Sequence, residues 1–373
     1  MKEKRRPSPL LCLLLASIPA AVLLAAGQTA RADGESLQLP SAAAVADRSA
    51  MEQTEDWLAD HFPLQSSLTA MHTRLELLTG RREVDGVYVL SDRLLERQGT
   101  IPEKTVSLSA QAVSDFATGF RGAVSLMLVP GAESVESDLL PAPAAPASQK
   151  TIIDRAYELT AEKVSTIDCY SMLSADRERY LYYRTDSRWT SLGAYLAYSA
   201  CGKQMGFTAL SADRMDVVHA SHSFRGNLCR RIQYNGVEPD TIDIYSTPGD
   251  DSEVHLQFYD GQRWSGHTGL YFREYLEDDG YSVFLGPDQP VITIETDVRS
   301  APRLLILKDS WANALAPFLT AHYSTITLVD PALLRQPLGE FIDMDSYDQA
   351  LICCSLSSFA EEDWAENLNR LGS

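Results

Sequence analysis

Two stretches of the 373-residue chain place reactive side chains where a strand gives way to a helix. In the first, the apolar run Leu304-Leu305-Ile306-Leu307 leads directly into Lys308-Asp309-Ser310-Trp311-Ala312-Asn313. A serine hydroxyl at such a turn stands at the carboxyl end of a sheet strand, where ligands of open α/β folds bind, and the amides of a following helix could stabilise a developing oxyanion. The plainer alternative is an N-cap, because Ser and Asp both satisfy the free amides of a helix start. The second stretch, Tyr182-Tyr183-Arg184-Thr185-Asp186-Ser187-Arg188-Trp189-Thr190, gathers carboxylate, guanidinium and aromatic rings at another junction. Arg188 beside Asp186 could form a fixed ion pair, or bind a sugar carboxylate or phosphate through paired hydrogen bonds. Tyr182, Tyr183, Trp189 and Trp311 could offer faces to sugar rings, or equally pack as core.

Positioning these residues falls to an alternation of strands and helices. The pattern predicts a helix over Ala110–Phe120, a strand over Ala123–Pro130, a helix over Ile152–Lys163, strands over Ser165–Tyr170 and Tyr180–Tyr183, and a helix over Thr190–Met205. It resumes with strand Leu304–Leu307, helix Ala312–His322, strands Thr325–Val329 and Gln349–Cys354, and helix Glu361–Leu371. This alternation argues for an α/β layer fold with a largely parallel sheet. Between, at about 213–300, short β-like runs such as Thr241–Tyr245 and Val291–Thr296, broken by Gly and Pro, read as a β-rich insertion. Ahead of the main domain (101–373), residues 49–100 read as a helical and hairpin region. Its helical pattern over Met51–Leu78 is split by Pro63, and its hairpin runs from Val84 to Leu95.

Composition narrows the function. The chain is 45% hydrophobic and 22% charged, which is ordinary for globular proteins and excludes intrinsic disorder. Its formal net charge is −19. Residues 1–32 hold five basic residues and one acidic one, so the remainder is more acidic still and repels phosphate backbones. Nucleic acid is therefore not an expected partner.

Lys2, Lys4, Arg5 and Arg6 precede the apolar run Leu10–Ala26, and Ala30-Arg31-Ala32 ends the segment, as in a secretory signal. An uncleaved membrane anchor is the competing reading, followed in either case by a linker over 33–48 and an extracytoplasmic domain. Cys12 follows Leu11, which does not suit lipoprotein processing. Five cysteines follow the segment, an odd number that leaves at least one unpaired. No zinc spacing is present, His219 and His222 form only an isolated pair, and no metal or cofactor is expected.

The motifs have a family counterpart. Tyr183-Arg184-Thr185-Asp186, Trp189-Thr190 and Gly193-Ala194-Tyr195 resemble the segment that names the DHHW family, secreted bacterial proteins related to SGNH hydrolase-like alginate O-acetyltransferases. Lys308-Asp309-Ser310-Trp311-Ala312-Asn313, Pro317-Phe318-Leu319 and His322-Tyr323 resemble the family's second conserved stretch. Phe224-Arg225-Gly226-Asn227-Leu228 and His61-Phe62-Pro63 resemble further pieces, so the resemblance spans roughly residues 50–370 in order.

The resemblance implies a flavodoxin-like SGNH three-layer fold in which Ser310 takes the nucleophile position and Asp186 that of the orienting carboxylate. Arg188 stands in place of the base histidine, and Ser187 replaces the preceding one. Tyr183, Trp189, Lys308 and Asn313 would line the substrate site, and a cell-surface polysaccharide, with a membrane acetyl-transfer protein, would be the partners. A guanidinium stays protonated and cannot take a proton from serine. Three readings therefore stay open: a degenerate relative that binds envelope glycan or a membrane acetyl-transfer partner, an active O-acetyltransferase or acetylesterase with a substitute base such as His219, His222 or His322, and a plain structural role in the envelope.

Overall fold

The computed structural model describes residues 65–141, 148–246 and 254–372. The predicted signal or anchor segment, the predicted linker, the predicted helix before Pro63 and part of the Pro/Ala-rich stretch lie outside the described residues. The chain divides into two compact units between Gly80 and Arg81. Of the first unit, the described part is a helix, α1 (Gln65–Leu78), with its following turn.

The second unit opens with a meander of three short strands, β1 (Glu83–Val84), β2 (Val87–Val89) and β3 (Leu94–Glu96). Helix α2 (Glu103–Gly119) and strand β4 (Ala123–Val129) follow, then a single helical turn, α3 (Ala132–Val135), and α4 (Gln149–Thr160). Next come β5 (Ser165–Thr166), α5 (Cys169–Ala175) and α6 (Ser191–Met205). The predicted strand at Tyr180–Tyr183 is instead a loop with one bridge, Tyr182 to Trp189.

The β-rich stretch holds a two-stranded ribbon, β6 (Asp216–Phe224) and β7 (Asp240–Ser246), with α7 (Asn227–Ile232) between its strands. It continues through β8 (His255–Tyr259), β9 (Trp264–Thr268) and β10 (Val291–Glu295). The chain closes with β11 (Arg303–Lys308), α8 (Ala316–Leu319), β12 (Thr325–Val329), β13 (Gln349–Ser355), α9 (Leu356–Phe359) and α10 (Trp364–Leu371).

One eight-stranded sheet runs in the order β5-β4-β13-β11-β12-β10-β8-β9. The first five strands are parallel, as the alternation predicts. Strands β10, β8 and β9 extend it antiparallel, so the sheet is mixed, and three strands of the stretch read as an insertion are built into it. The C-terminal strand β13 lies between β4 and β11, a departure from the order of a simple flavodoxin-like sheet.

Side-chain alternation explains why the central strands read as unbroken apolar runs. Leu304 and Ile306 of β11 face one core with α6, while Leu305 and Leu307 face the other with α2, α4 and α10. A strand buried on both faces needs apolar residues at every position. The same alternation sends Cys353 and Cys354 to opposite faces; all five described cysteines are buried and free. The result is three layers, helix, sheet and helix. The carboxyl ends of the parallel strands β4, β11, β12 and β13 meet on one edge, which carries Pro130, Asp309 with Ser310, Asp330 and Ser355.

The helix predicted over Ala312–His322 is shorter. A 3-10 turn covers Ser310–Ala314, and α8 spans only Ala316–Leu319. Pro317 explains the break, since it has no amide to continue the ladder and restricts the residue before it.

Candidate functional site

Ser310 begins that 3-10 turn at the end of β11. The capping role falls to its neighbour: Asp309 Oδ1 accepts from Trp311 N at 3.0 Å, and Asp309 Oδ2 accepts from Ser355 N at 2.8 Å. The Ser310 hydroxyl has no hydrogen-bond partner among the described residues. Trp311 N donates to Asp309 Oδ1 and Ala312 N to Asp309 O, so these two amides of the turn are not free for an oxyanion. Burial raises the Asp309 carboxyl against the donations it receives from Ser355, Ser358 and Trp311.

Asp186 lies in the loop before α6, 1% exposed. Every acceptor site on it is used. Oδ1 accepts from Arg188 Nε at 2.7 Å and Arg188 N at 3.0 Å, while Oδ2 accepts from Arg188 Nη2 at 2.8 Å and Asn227 N at 2.9 Å. Burial disfavours its charge, yet the Arg188 guanidinium and the amides of Asn227 and Arg188 outweigh this and hold the carboxyl below the usual Asp range. Burial likewise opposes the Arg188 charge, and Asp186 overrides it, leaving the guanidinium harder still to deprotonate. The other face of the guanidinium lies 3.7 Å from the centroid of the Tyr281 ring. Arg188 is thus closed in by a carboxylate on one side and a ring on another.

Distant segments build this enclosure. Gly226 leads α7 toward Asp186 so closely that a Cβ there would lie 2.2 Å from Asp186 Cβ. The Thr185 carbonyl accepts from Leu228 N and Cys229 N, and Asn227 exchanges hydrogen bonds with Ser187 through Oδ1 and Nδ2. Asp240 on β7 accepts from Arg184 N at 2.8 Å, Thr185 N at 2.9 Å, the Thr185 hydroxyl and the Tyr180 hydroxyl. Burial raises the Asp240 carboxyl despite these donors.

The structure ties the Asp186 loop to the Ser310 turn through one carbonyl. Trp311 O accepts from Trp189 Nε1 at 3.0 Å and from Tyr281 OH at 3.2 Å. Tyr281 therefore carries Arg188 on its ring and the residue after Ser310 on its hydroxyl. The sugar-facing role expected of Tyr183 and Trp189 finds no open ring: they are 1% and 0% exposed and pack against Phe224, Tyr281 and Trp311.

Lys308 and Asn313, also expected at the substrate site, are buried and turned to Asp288. Lys308 Nζ and Asn313 Nδ2 each donate to Asp288 Oδ1 at 3.0 Å, and Lys308 lies 3.8 Å from Asp330. Burial would discharge Lys308, but Asp288 and Asp330 keep its pKa above the ordinary lysine value. Asn313 Oδ1 is buried without a donor among the described residues.

Among the described residues no imidazole is hydrogen-bonded to Ser310. His219 pairs with Asp243 at 2.6 Å, His222 meets Thr241, and His322 Nε2 bonds the Tyr198 hydroxyl at 2.7 Å while stacking on Phe207. Burial lowers the His322 pKa. No group of three or more metal-ligating side chains occurs among the described residues.

Sequence reasoning missed Asp240, Tyr281, Asp288 and Glu133. Glu133 follows β4 on the same sheet edge, beside Gly131, with Gln149 donating to it. Burial pushes its carboxyl up to about 7, against the donations of its own backbone amide and Gln149.

A structure of a DHHW family protein from Eubacterium siraeum is 24% identical, covering 78% of this chain and 97% of that one at a TM-score of 0.65. The structure of Bacillus cereus PatB1 with a sulfonyl adduct is 17% identical, covering 77% and 98% at a TM-score of 0.64. None of the curated proteins compared with the chain matches it. The fold is α/β of the SGNH-like type. The DHHW family model matches residues 70–329, and the chain belongs to that family.

Two outcomes test this site. Gly226→Ala forces a methyl against Asp186 and is expected to lower unfolding stability by about 1–3 kcal/mol in urea titration; unchanged stability would contradict the close approach. Glu133 binds its proton more tightly folded than unfolded, so its contribution is present below pH 4.5 and fades as pH rises toward about 7. Native protein should lose about 3 kcal/mol over that interval from this group, and Glu133→Gln should remove that part of the slope.

Proposed function

We propose that this DHHW-family chain is an exported protein that binds cell-envelope polysaccharide and has lost the acyl chemistry of its SGNH-like site. The observation that carries the reading is Arg188. It stands at the base position of the family motif, is held by both oxygens of Asp186, and lies against Tyr281. A protonated guanidinium so enclosed has no lone pair to offer a serine hydroxyl, and loss of a general base costs on the order of a hundred- to ten-thousand-fold in rate. Ser310 keeps its place at the strand end with a free hydroxyl, but no other base is hydrogen-bonded to it.

Family membership and the resemblance to O-acetyltransferases support polysaccharide as the ligand class. Export is supported by the order of basic, apolar and small residues at the start of the chain. No described helix is long and apolar enough to cross a membrane. The second reading, an active acetyltransferase or acetylesterase, rests on the free Ser310 hydroxyl; a transferase would need an acetyl donor, whereas an acetylesterase passes the acetyl group to water.

Hydrolysis of p-nitrophenyl acetate separates the two. Native protein should match Ser310→Ala, while Arg188→His should gain Ser310-dependent turnover of roughly a hundredfold or more. Ser310-dependent turnover in the native chain would overturn the degenerate reading. A folded but silent Arg188→His would show that more than the base has been lost.

A further inference from the structure

Beyond the parallel strands, the described helices leave one face of the sheet exposed. Helices α2, α4 and α10 cover the side of Leu305 and Leu307, and on that same side much of the antiparallel extension is open. Tyr259 marks the side, since it packs toward the core of Val291 and Leu307 while Phe258 packs toward the other. Residues directly opposite on paired strands share a face, so the register sets out rows. Tyr259 and Trp264 lie in one row, Gln257 and Gly266 in the next, and His255 and Thr268 in the third, with Glu295 beside them. All but the half-buried Tyr259 are exposed.

Trp264 is 45% exposed on the edge strand β9, and its ring centroid lies 5.6 Å from that of Tyr259. Tyr259 in turn lies 4.9 Å from Phe341, which lines a surface cavity of about 520 Å³, within the roughly 300–1,000 Å³ of small-ligand sites. The rings form a track from the sheet edge to this cavity. Beside the track Gly266 leaves a trough, where an added Cβ would meet only Leu256 O, at 3.6 Å. Gln257, His255, Thr268 and Glu295 make no side-chain hydrogen bond among the described residues, so their polar groups are available. Ring faces beside amide, imidazole and hydroxyl groups match a pyranose, which has C–H faces and a rim of hydroxyls. Three strands and three rows measure about 10 Å by about 13 Å, room for more than one sugar ring. The polar rows are unlike the apolar centre of a protein interface. Charge narrows the ligand further. The cavity lining holds Arg121 against Glu340, Asp343 and Asp345, Arg263 beside Trp264 is paired with Asp260 at 3.4 Å, and the whole chain carries −19. This field repels a polyanion and leaves an uncharged chain unaffected.

We propose that this face, from Phe341 through Tyr259 to Trp264 and Gly266, binds a segment of an uncharged polysaccharide. The proposal rests on the glycan reading above and gives it a surface apart from the Ser310 turn. Trp264 shares a register row with Tyr259, Val291, Val329 and Leu307, and Leu307 lies three residues before Ser310. Four strand spacings, about 19 Å, separate Trp264 from Leu307, so the ring track stands at the serine end of the sheet.

Calorimetric titration of the full chain with cellohexaose, chitohexaose and a mannuronate hexamer, at fixed ionic strength, tests the proposal. The expected result is saturable binding of a neutral hexasaccharide, at least tenfold tighter than the mannuronate hexamer. Trp264→Ala and, separately, Gly266→Leu should each weaken it about tenfold or more with an unchanged far-ultraviolet spectrum. Both changes fall on exposed positions, and the leucine enters open space, so either variant serves if the other misfolds. Neutral-glycan binding untouched by both variants would remove this face while leaving the glycan reading intact. Mannuronate binding as tight as the neutral chains would overturn the uncharged assignment. Absence of neutral-hexasaccharide binding would overturn the proposal, and the glycan reading would fall with it only if a glycan array were silent as well. A Trp264-dependent dimer in light scattering, without glycan binding, would assign the edge to a second copy and overturn the proposal.

Discussion

A buried ion pair governs this site. Moving a carboxylate and a guanidinium out of water costs several kcal/mol per ion, recovered only when geometry is close and the remaining hydrogen-bonding capacity is filled. Asp186 and Arg188 meet that demand with two side-chain bonds, two backbone amides and the Tyr281 ring. Much of the surrounding structure follows from supplying these partners. Gly226 permits the approach of α7, Asn227 gives an amide, and Asp240 holds the loop from the other side by taking its amides.

Tyr281, whose ring covers Arg188, also helps to fix the serine turn. Tyr281 and Trp189 converge on the Trp311 carbonyl, so the Asp186 loop and the end of β11 are positioned as one unit. Lys308 repeats the solution one residue before Asp309, buried with Asp288 and Asp330 as counter-charges. The strand-end Ser310 thus stands beside two buried charge clusters, Asp186 with Arg188 and Lys308 with Asp288 and Asp330.

Legibility in the sequence tracked how local each determinant is. The strand β11 was readable because burial on both faces demands Leu304-Leu305-Ile306-Leu307, and Ser310 stood at its end by simple continuation. Tyr180–Tyr183 read as a strand from its aromatic residues, but the loop just beyond gives its amides at Arg184 and Thr185 to the Asp240 carboxylate, not to a neighbouring strand. No local pattern marks Asp240, 55 residues from Thr185 in the chain. Tyr281 is equally silent in sequence, since its role comes from two contacts made across the fold. The strands of the β-rich stretch were visible as short runs, whereas the pairing of β10 with β12, which joins them to the parallel sheet, is a non-local choice. The aromatic residues at the motif suggested sugar faces; their burial shows the packing alternative, which composition at a single junction does not distinguish.

The most direct measurement is a double-mutant cycle on Asp186 and Arg188, with each residue changed to Ala singly and together, and stability read from urea unfolding at neutral pH. The account predicts that either single change costs about 3–5 kcal/mol, because the remaining ion is buried alone, and that the double variant recovers much of that loss. A coupling below about 1 kcal/mol, as for an exposed surface pair, would contradict the claim that this pair organises the site.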